Sequence, residues 1–341
     1  MSTTTGGTVA TPQMDSDWAF LKAHFPSESK KRSIPDRPIA LIDVGDGNGG
    51  LSHPLLLGRV TRADRSQWAR GVQGTLLRGT HVAEVAGVIA ERCSADMIFY
   101  DVGTTAGWDD ELFKLALEAI LRSNPKPAVI NISVGWPEEV PGATALLDQC
   151  LAEGISVVVA MGDDGALTDI DWYPATHPGV IAVAGTDRHD LPLADSDHGD
   201  HVWIAAPGED ILTVVAKDDL GTRNGTSFAA AQVSAAVWLA IQANPTLDTG
   251  RIRQLLGESA DSALVGRCPP KMLPKAPSNG NWNPAVGCGR LDVKKFLDAV
   301  DDDGLSEPAR IVAGKPKPGP MDGVTGYAAM PKPPESQPPL L

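Results

Sequence analysis

Short apolar runs alternate with longer amphipathic segments along most of the chain. Four β-branched runs are too short for helices and are predicted to be strands: 38–44, 127–132, 155–160 and 180–184. Helical periodicity between them predicts helices over 79–91, 109–123 and 143–153. Strands that alternate with helices indicate βαβ units and a parallel sheet covered on both faces. The pattern therefore predicts an α/β fold, with helices on both faces of a mainly parallel central sheet.

The segment 229–243 is apolar on nearly all sides. Such a segment is typical of a helix buried in the middle of a protein. Asn244 and Pro245 follow it directly, and a proline disfavours the helical state in the residue before it. We expect a central buried helix that ends at this point.

Length and charge limit the classes of function. The 341 residues carry 42% apolar residues and a net charge of −14, with no basic cluster suited to nucleic acid or anionic lipid. Residues 1–25 lack the basic end and apolar run of a signal peptide, and no stretch approaches a membrane span. We therefore expect a cytoplasmic protein with no nucleic-acid or membrane partner.

The domain organisation follows from these patterns. We expect an N-terminal extension (1–35), one α/β domain (36–300) and a proline-rich disordered tail (301–341). Within the extension, residues 17–23 predict a short amphipathic helix packed on its own domain. Residues 305–341 contain nine of the 28 prolines, which favours polyproline II over a packed core. This tail is interpreted as a linker, and the alternative is a ligand for a proline-binding partner.

The four cysteines lack the close pairing of a metal site. Cys93 and Cys150 are predicted to be buried thiols. Cys268 and Cys288 flank a loop and could pair in an oxidising compartment, whereas free thiols are expected in the cytosol. No metal and no cofactor are predicted.

Three segments carry candidate chemistry: 40–45 (ALIDVG), 78–83 (RGTHVA) and 224–229 (NGTSFA). Together with 129–135 (VINISVG) and 157–165 (VVVAMGDDG), their order resembles that of the subtilisin-like serine proteases, or subtilases. The resemblance covers about residues 36–300 and implies a subtilisin-like three-layer fold. It also implies that no calcium loop is inserted after the helix at 79–91, because the chain leaves no room for one.

The resemblance assigns the roles of a catalytic triad. Ser227 takes the position of the nucleophile, Asp43 that of the acid, and Arg78 stands where the family has its general base, a histidine. A guanidinium stays protonated and cannot accept a proton. His81 is expected beside the base position and outside the triad, and the other histidines considered are interpreted as structural or surface residues.

Two further positions depart from the family pattern. Asp163 stands where the family places the asparagine that stabilises the oxyanion, and Glu84 stands where it has a glycine. Arg78 is predicted to form a salt bridge with Asp43, and Glu84 is interpreted as a sign of relaxed constraint. The substrate-binding positions implied by the resemblance are Ser133, Val134, Gly135 and Gly162.

Three hypotheses about function remain open. The first is a catalytically impaired pseudoprotease that binds peptide or protein through the degenerate triad of Asp43, Arg78 and Ser227. The second is an active subtilisin-like serine endopeptidase, supported by the intact surroundings of Ser227. The third is a structural or assembly module that acts through its tails.

Overall fold

The protein is described from a computed structural model. The structure describes residues 18–26, 37–45, 50–69, 80–105, 107–165, 172–263 and 282–305. Its central element is a seven-stranded sheet with the order β2-β3-β1-β6-β7-β8-β9. Every pairing in this sheet is parallel. These strands are β1 (Ile39–Asp43), β2 (Val60–Arg62), β3 (Met97–Asp101), β6 (Val129–Ile132), β7 (Ser156–Ala160), β8 (Ile181–Thr186) and β9 (Val202–Pro207).

Four short strands form two separate antiparallel hairpins. β4 (Gly103–Thr104) pairs with β5 (Gly107–Trp108), and β10 (Ile211–Ala216) pairs with β11 (Asp219–Arg223). The second hairpin leads directly into the longest helix of the described residues. The position of this hairpin matters for the site, because the helix that follows it carries Ser227.

Helices cover both faces of the sheet. They are α1 (Trp18–Lys22), α2 (Arg65–Trp68), α3 (His81–Arg92), α4 (Asp110–Arg122), α5 (Ala143–Ala152), α6 (Thr226–Ala243), α7 (Thr249–Glu258) and α8 (Val293–Leu305). Successive side chains of a strand point to opposite faces. Accordingly, Ile39 and Leu41 join the apolar core under α3 and α6, whereas Ala40 and Ile42 join the core under α4 and α5. The predicted three-layer α/β class is confirmed.

The strongest sequence patterns gave the correct elements. The four predicted strands are β1, β6, β7 and β8, and the three predicted helices are α3, α4 and α5. α6 is buried almost throughout, as predicted, although it begins three residues earlier than the apolar run at 229. It is long and apolar enough to cross a membrane, but 89% of its apolar window is buried inside the fold.

The N-terminal helix α1 belongs to the main compact unit, which spans residues 1–304. The indole Nε1 of Trp18 donates to Glu209 O at 3.1 Å, and Ala19 and Ala23 are buried in the core under α3 and α6. The prediction that this segment packs on its own domain is confirmed. The predicted domain boundaries at residues 35 and 300 stay predictions.

The cysteines agree with the prediction where they can be compared. Cys93 and Cys150 are buried free thiols, and Cys288 is a partly buried free thiol. Burial raises the pKa of Cys93 to about 11 and that of Cys150 to about 12. Cys268 and the proline-rich segment 306–341 lie outside the described residues.

Candidate active site

Asp43 occupies the carboxyl end of the central strand β1 and is fully buried. Its Oδ1 accepts a hydrogen bond from the backbone N–H of Val44 at 2.7 Å. Because a parallel sheet collects its functional groups at the carboxyl ends of its strands, this is the position at which a site is expected. The structure thus places Asp43 where the sequence predicted an acid.

The partner of Asp43 is His81, the first residue of α3. Its Nδ1 lies 2.6 Å from Asp43 Oδ1. The sequence predicted His81 beside the base position and outside the triad, whereas the structure places its imidazole in direct contact with the acid. Arg78 lies outside the described residues, so its predicted salt bridge with Asp43 stays a prediction.

The sequence also allows a second alignment with the family pattern, shifted by three residues, that gives His81 the position of the base. The family pattern can be aligned with the sequence from Arg78 (RGTHVAE) or from His81 (HVAEVAG). Only the second alignment has glycine at its seventh position, where the family pattern has glycine. That glycine is Gly87, where an added Cβ would lie 2.8 Å from Val214 N and would also meet the Thr213 hydroxyl. Residues three apart share one face of a helix, so the two readings give similar apolar patterns.

His81 is held in an acidic environment. Burial opposes the charged imidazolium, but the nearby carboxylates of Asp43, Glu84 and Asp163 outweigh it and raise the pKa of His81 to about 9. The hydrogen bond with Asp43 adds to this effect. His81 is therefore cationic at neutral pH and becomes a neutral base only in alkaline solution.

Ser227 lies at the start of the buried helix α6 and is 7% exposed. The ring of the next residue, Phe228, has its centroid 6.2 Å from that of His81, so the imidazole lies beside this helix end. Gly225 caps the helix with φ 139°, a conformation that favours glycine. The start of α6 presents backbone N–H groups that have no intrahelical partner, and these favour a developing negative charge.

Asp163 is bonded to the same end of α6. Its Oδ1 accepts from the backbone N–H of Thr226 at 2.7 Å, and Gly162 N donates to Thr226 Oγ1 at 3.2 Å. Desolvation raises the pKa of Asp163 and the Thr226 hydrogen bonds oppose the shift, and because the side chain is exposed to solvent the effect of desolvation is small. A carboxyl that stays protonated can donate a hydrogen bond, whereas a carboxylate can only accept one.

Glu84 has a structural partner, which contradicts the interpretation of relaxed constraint. The residue is 6% exposed. Its Oε1 accepts from Arg223 Nε at 3.0 Å and from Thr80 Oγ1 at 2.7 Å. Arg223 ends β11, shortly before Ser227. The pair thus joins the helix of His81 to the segment that leads into the serine, and the sequence offered no signal for it.

The predicted substrate-binding residues lie together at the edge of the site. Ser133, Val134 and Gly135 follow directly after β6, and Gly162 follows β7, the neighbouring strand. Asn131 Nδ2 donates to Ser133 Oγ at 3.0 Å. In turn, Ser234 Oγ on α6 donates to Asn131 Oδ1 at 2.8 Å, so this edge is tied to the helix that carries Ser227.

The remaining predicted histidines are engaged in local structure. His53 Nδ1 accepts from Leu55 N at 3.1 Å, and the buried His177 faces Asp148 at 3.3 Å. His198 Nδ1 contacts Ser196 O at 2.8 Å. These contacts match the prediction that these three histidines have structural roles.

Comparison with known proteins agrees with this geometry. The sequence profile of the subtilase family of peptidases matches residues 52–289, more than half of the chain. The chain belongs to the subtilase family. It therefore carries a subtilisin-like peptidase domain.

Curated relatives within the family are moderately similar to this subtilase. It is 28% identical to Subtilisin E of Bacillus subtilis over 232 residues, which covers 65% of this chain and 60% of the relative. It is 27% identical to the cell wall-associated protease of Bacillus subtilis over 299 residues, covering 80% of this chain and 32% of that protein. The chain thus spans less than two thirds of the length of these relatives.

Two solved structures share the fold of this subtilase. The prenylagaramide maturation protease PagA superposes with a TM-score of 0.62 at 22% identity, covering 83% of this chain and 98% of PagA. The self-cleaved protease domain of PatA gives a TM-score of 0.61 at 24% identity, covering 78% of this chain and 97% of that domain. These two similarities show that the fold is shared.

Proposed function

We propose that this subtilase is a serine endopeptidase whose triad is Asp43, His81 and Ser227. The observation that carries the proposal is the 2.6 Å contact between His81 Nδ1 and Asp43 Oδ1. An acid at this distance holds the imidazole with its other nitrogen free to act as a base. Under this assignment Arg78 has no role in proton transfer, and the degenerate triad inferred from Arg78 is replaced by a complete one.

The proposed triad assigns one step to each of its three residues. His81 Nε2 takes the proton of Ser227 Oγ as the oxygen attacks the substrate carbonyl, and then returns it to the leaving amine. Asp43 stabilises the imidazolium formed in between. The N–H groups at the start of α6 are the donors available to the oxyanion, and Asp163, as a carboxylate, supplies none.

The substrate is proposed to be an extended polypeptide. Residues 133–135 follow β6 beside the site, and such a segment can add a peptide strand through main-chain hydrogen bonds. This mode of binding uses backbone groups, so it requires an extended peptide conformation but places little restriction on the peptide sequence. Ser133 and Gly162 would then border the peptide on its two sides.

A fluorophosphonate probe tests the proposal, because it attaches to a serine only when that serine is activated. We expect the full chain to gain one adduct at Ser227, as located by peptide mass analysis, and to cleave an unfolded protein substrate. Ser227→Ala should lose both activities. A well-folded parent that remains unlabelled at both neutral and alkaline pH would contradict the proposal.

Binding of peptides without hydrolysis is the second candidate function. It is favoured by Asp163 at the oxyanion position and by the cationic state of His81 at neutral pH, since both would slow acyl transfer. In that case extended peptides should bind to the parent and to Ser227→Ala with equal affinity. The same fluorophosphonate experiment would then give no adduct at any pH.

A further inference from the structure

The indole of Trp172 lies between the two glycines that border the predicted peptide site. A Cβ built on Gly162 would lie 2.6 Å from Trp172 Cδ1 and 3.0 Å from its Nε1. A Cβ built on Gly135 would lie 3.4 Å from Trp172 Cε3. The two glycines therefore face opposite parts of one ring system, which occupies the space between them.

The backbone next to Trp172 is fixed to the same edge. Trp136 N donates to Tyr173 O at 2.7 Å, and Tyr173 N donates to Trp136 O at 2.8 Å. This two-way bridge holds the segment at 172–173 against the residue that follows Gly135. The main chain next to the indole is thus fixed to the segment that forms the predicted peptide-binding edge.

The buried carboxyl of Asp197 lies at the Gly162 end of the Trp172 indole. Asp197 is 3% exposed, its N–H donates to Gly162 O at 3.0 Å, and its Oδ2 lies in contact range of a Cβ built on Gly162. Trp172 Nε1 and both carboxyl oxygens of Asp197 are buried polar atoms, and a hydrogen bond from the Trp172 side chain acts on the Asp197 carboxyl. Asp197 therefore lies against the indole at the Gly162 end of the slot between the two glycines.

The path of a substrate leads into this slot. A peptide that pairs with residues 133–135 and presents a carbonyl to Ser227 directs one side chain between that segment and Gly162. This is the side chain on the acyl side of the scissile bond, which is called P1 by convention. In this molecule the space that P1 needs is taken up by the Trp172 indole.

We propose that Trp172 fills the P1 slot and restricts this peptidase to substrates with a small P1 residue, glycine or alanine. This inference rests on the proposed peptidase function and on the proposed peptide path. It makes Trp172 a specificity-determining residue. The ring volume is the property that matters, so Phe in its place should preserve the restriction in large part, whereas Gly should remove it.

The test uses a series of fluorogenic peptides that differ only at P1, with Gly, Ala, Leu or Phe, assayed at alkaline pH. We expect the parent to cleave the Ala peptide at least about tenfold faster than the Phe peptide in kcat/KM. Trp172→Gly should shift this ratio toward Phe by about tenfold or more, and Trp172→Phe should shift it much less. Trp108→Ala, which removes an exposed indole on β5, is the matched control and should leave the ratio unchanged.

Each outcome separates this inference from the proposed function. Two results would overturn the inference but leave the peptidase function intact, provided that Ser227 forms the adduct. The first is a parent that prefers the Phe peptide, and the second is an unchanged ratio of kcat/KM for the Ala and Phe peptides in well-folded Trp172→Gly. Absence of the adduct in the parent would overturn the peptidase function, and with it the inference. If Trp172→Gly fails to fold by circular dichroism, Trp172→Val and the profile of the parent decide between these results.

Discussion

Asp43 Oδ1 and His81 Nδ1 lie 2.6 Å apart, where the central strand β1 ends and helix α3 begins. The strand fixes a buried acid, and the helix places an imidazole against it. This contact supports the proposal that His81, and not Arg78, is the base. Under that proposal the molecule has the acid, base and nucleophile that acyl transfer by serine requires.

The pH dependence of activity follows from the environment of His81. The pKa of the imidazole is raised to about 9, so at pH 7 only about one molecule in a hundred carries the neutral base. We expect kcat/KM, and the rate of fluorophosphonate labelling, to rise about tenfold per pH unit below 9 and then to level off. A rate profile that levels off near pH 7 would show that the carboxylates do not act on His81 as described.

The same shift affects stability, with a definite sign. The pKa of His81 is higher in the folded state, at about 9, than the ordinary value of 6.5. The contribution of His81 to the free energy of unfolding is therefore fully present below pH 6.5 and is lost as the pH rises through 9. Denaturant unfolding of the parent and of His81→Gln, measured at pH 6 and pH 9.5, isolates this term, and the two proteins should differ less at the higher pH.

Asp163→Asn is expected to increase activity. The amide oxygen can keep the hydrogen bond from Thr226 N, while the amide N–H₂ becomes a permanent donor to the oxyanion. One such donor contributes about 10²–10³-fold to kcat. Removing a carboxylate near His81 should also shift the pH profile toward neutrality. Unchanged kcat in a folded Asp163→Asn variant would show that this side chain does not face the oxyanion.

The pair of Glu84 and Arg223 is expected to stabilise the site. Glu84 is buried but Arg223 is partly exposed, so we expect Glu84→Ala to lower the free energy of unfolding by about 1–2 kcal/mol, less than for a fully buried pair. A double-mutant cycle with Arg223→Ala measures the coupling directly. Strictly additive effects of the two substitutions would exclude an interaction between them. Arg122→Ala, which breaks an exposed pair with Glu118 on α4, serves as the control and should have little effect.

The sequence was sufficient for the fold because its strongest patterns are local. Buried strands such as β1 read as continuous apolar runs, and α6 reads as an apolar helix, so the periodicity alone predicted their positions. Asp43 and Ser227 were predicted at the ends of these elements. The strands β2, β3 and β9 and the hairpin of β10 and β11 were not predicted, although β3, β9 and β10 are apolar. A short apolar run does not by itself distinguish a strand from a segment of buried helix.

The sequence allows two assignments of the base for a physical reason. Arg78 and His81 are three residues apart in the sequence, and both alignments predict apolar residues on the same face of the helix that follows. The deciding residue is Gly87, since the approach of Thr213 and Val214 leaves no room for a side chain there. This tertiary contact joins residues far apart in the chain. The partner of Glu84 and the position of the Trp172 indole escaped prediction for the same reason.

The most direct test of the triad compares four full-length proteins in one fluorophosphonate labelling experiment at pH 9: the parent, His81→Ala, Arg78→Ala and Ser227→Ala. Circular dichroism confirms folding of each. The assignment of His81 as the base predicts that the parent and Arg78→Ala are labelled at comparable rates. It also predicts that His81→Ala loses at least about 10³-fold in rate and that Ser227→Ala forms no adduct. Labelling of a folded His81→Ala at the rate of the parent would contradict the account.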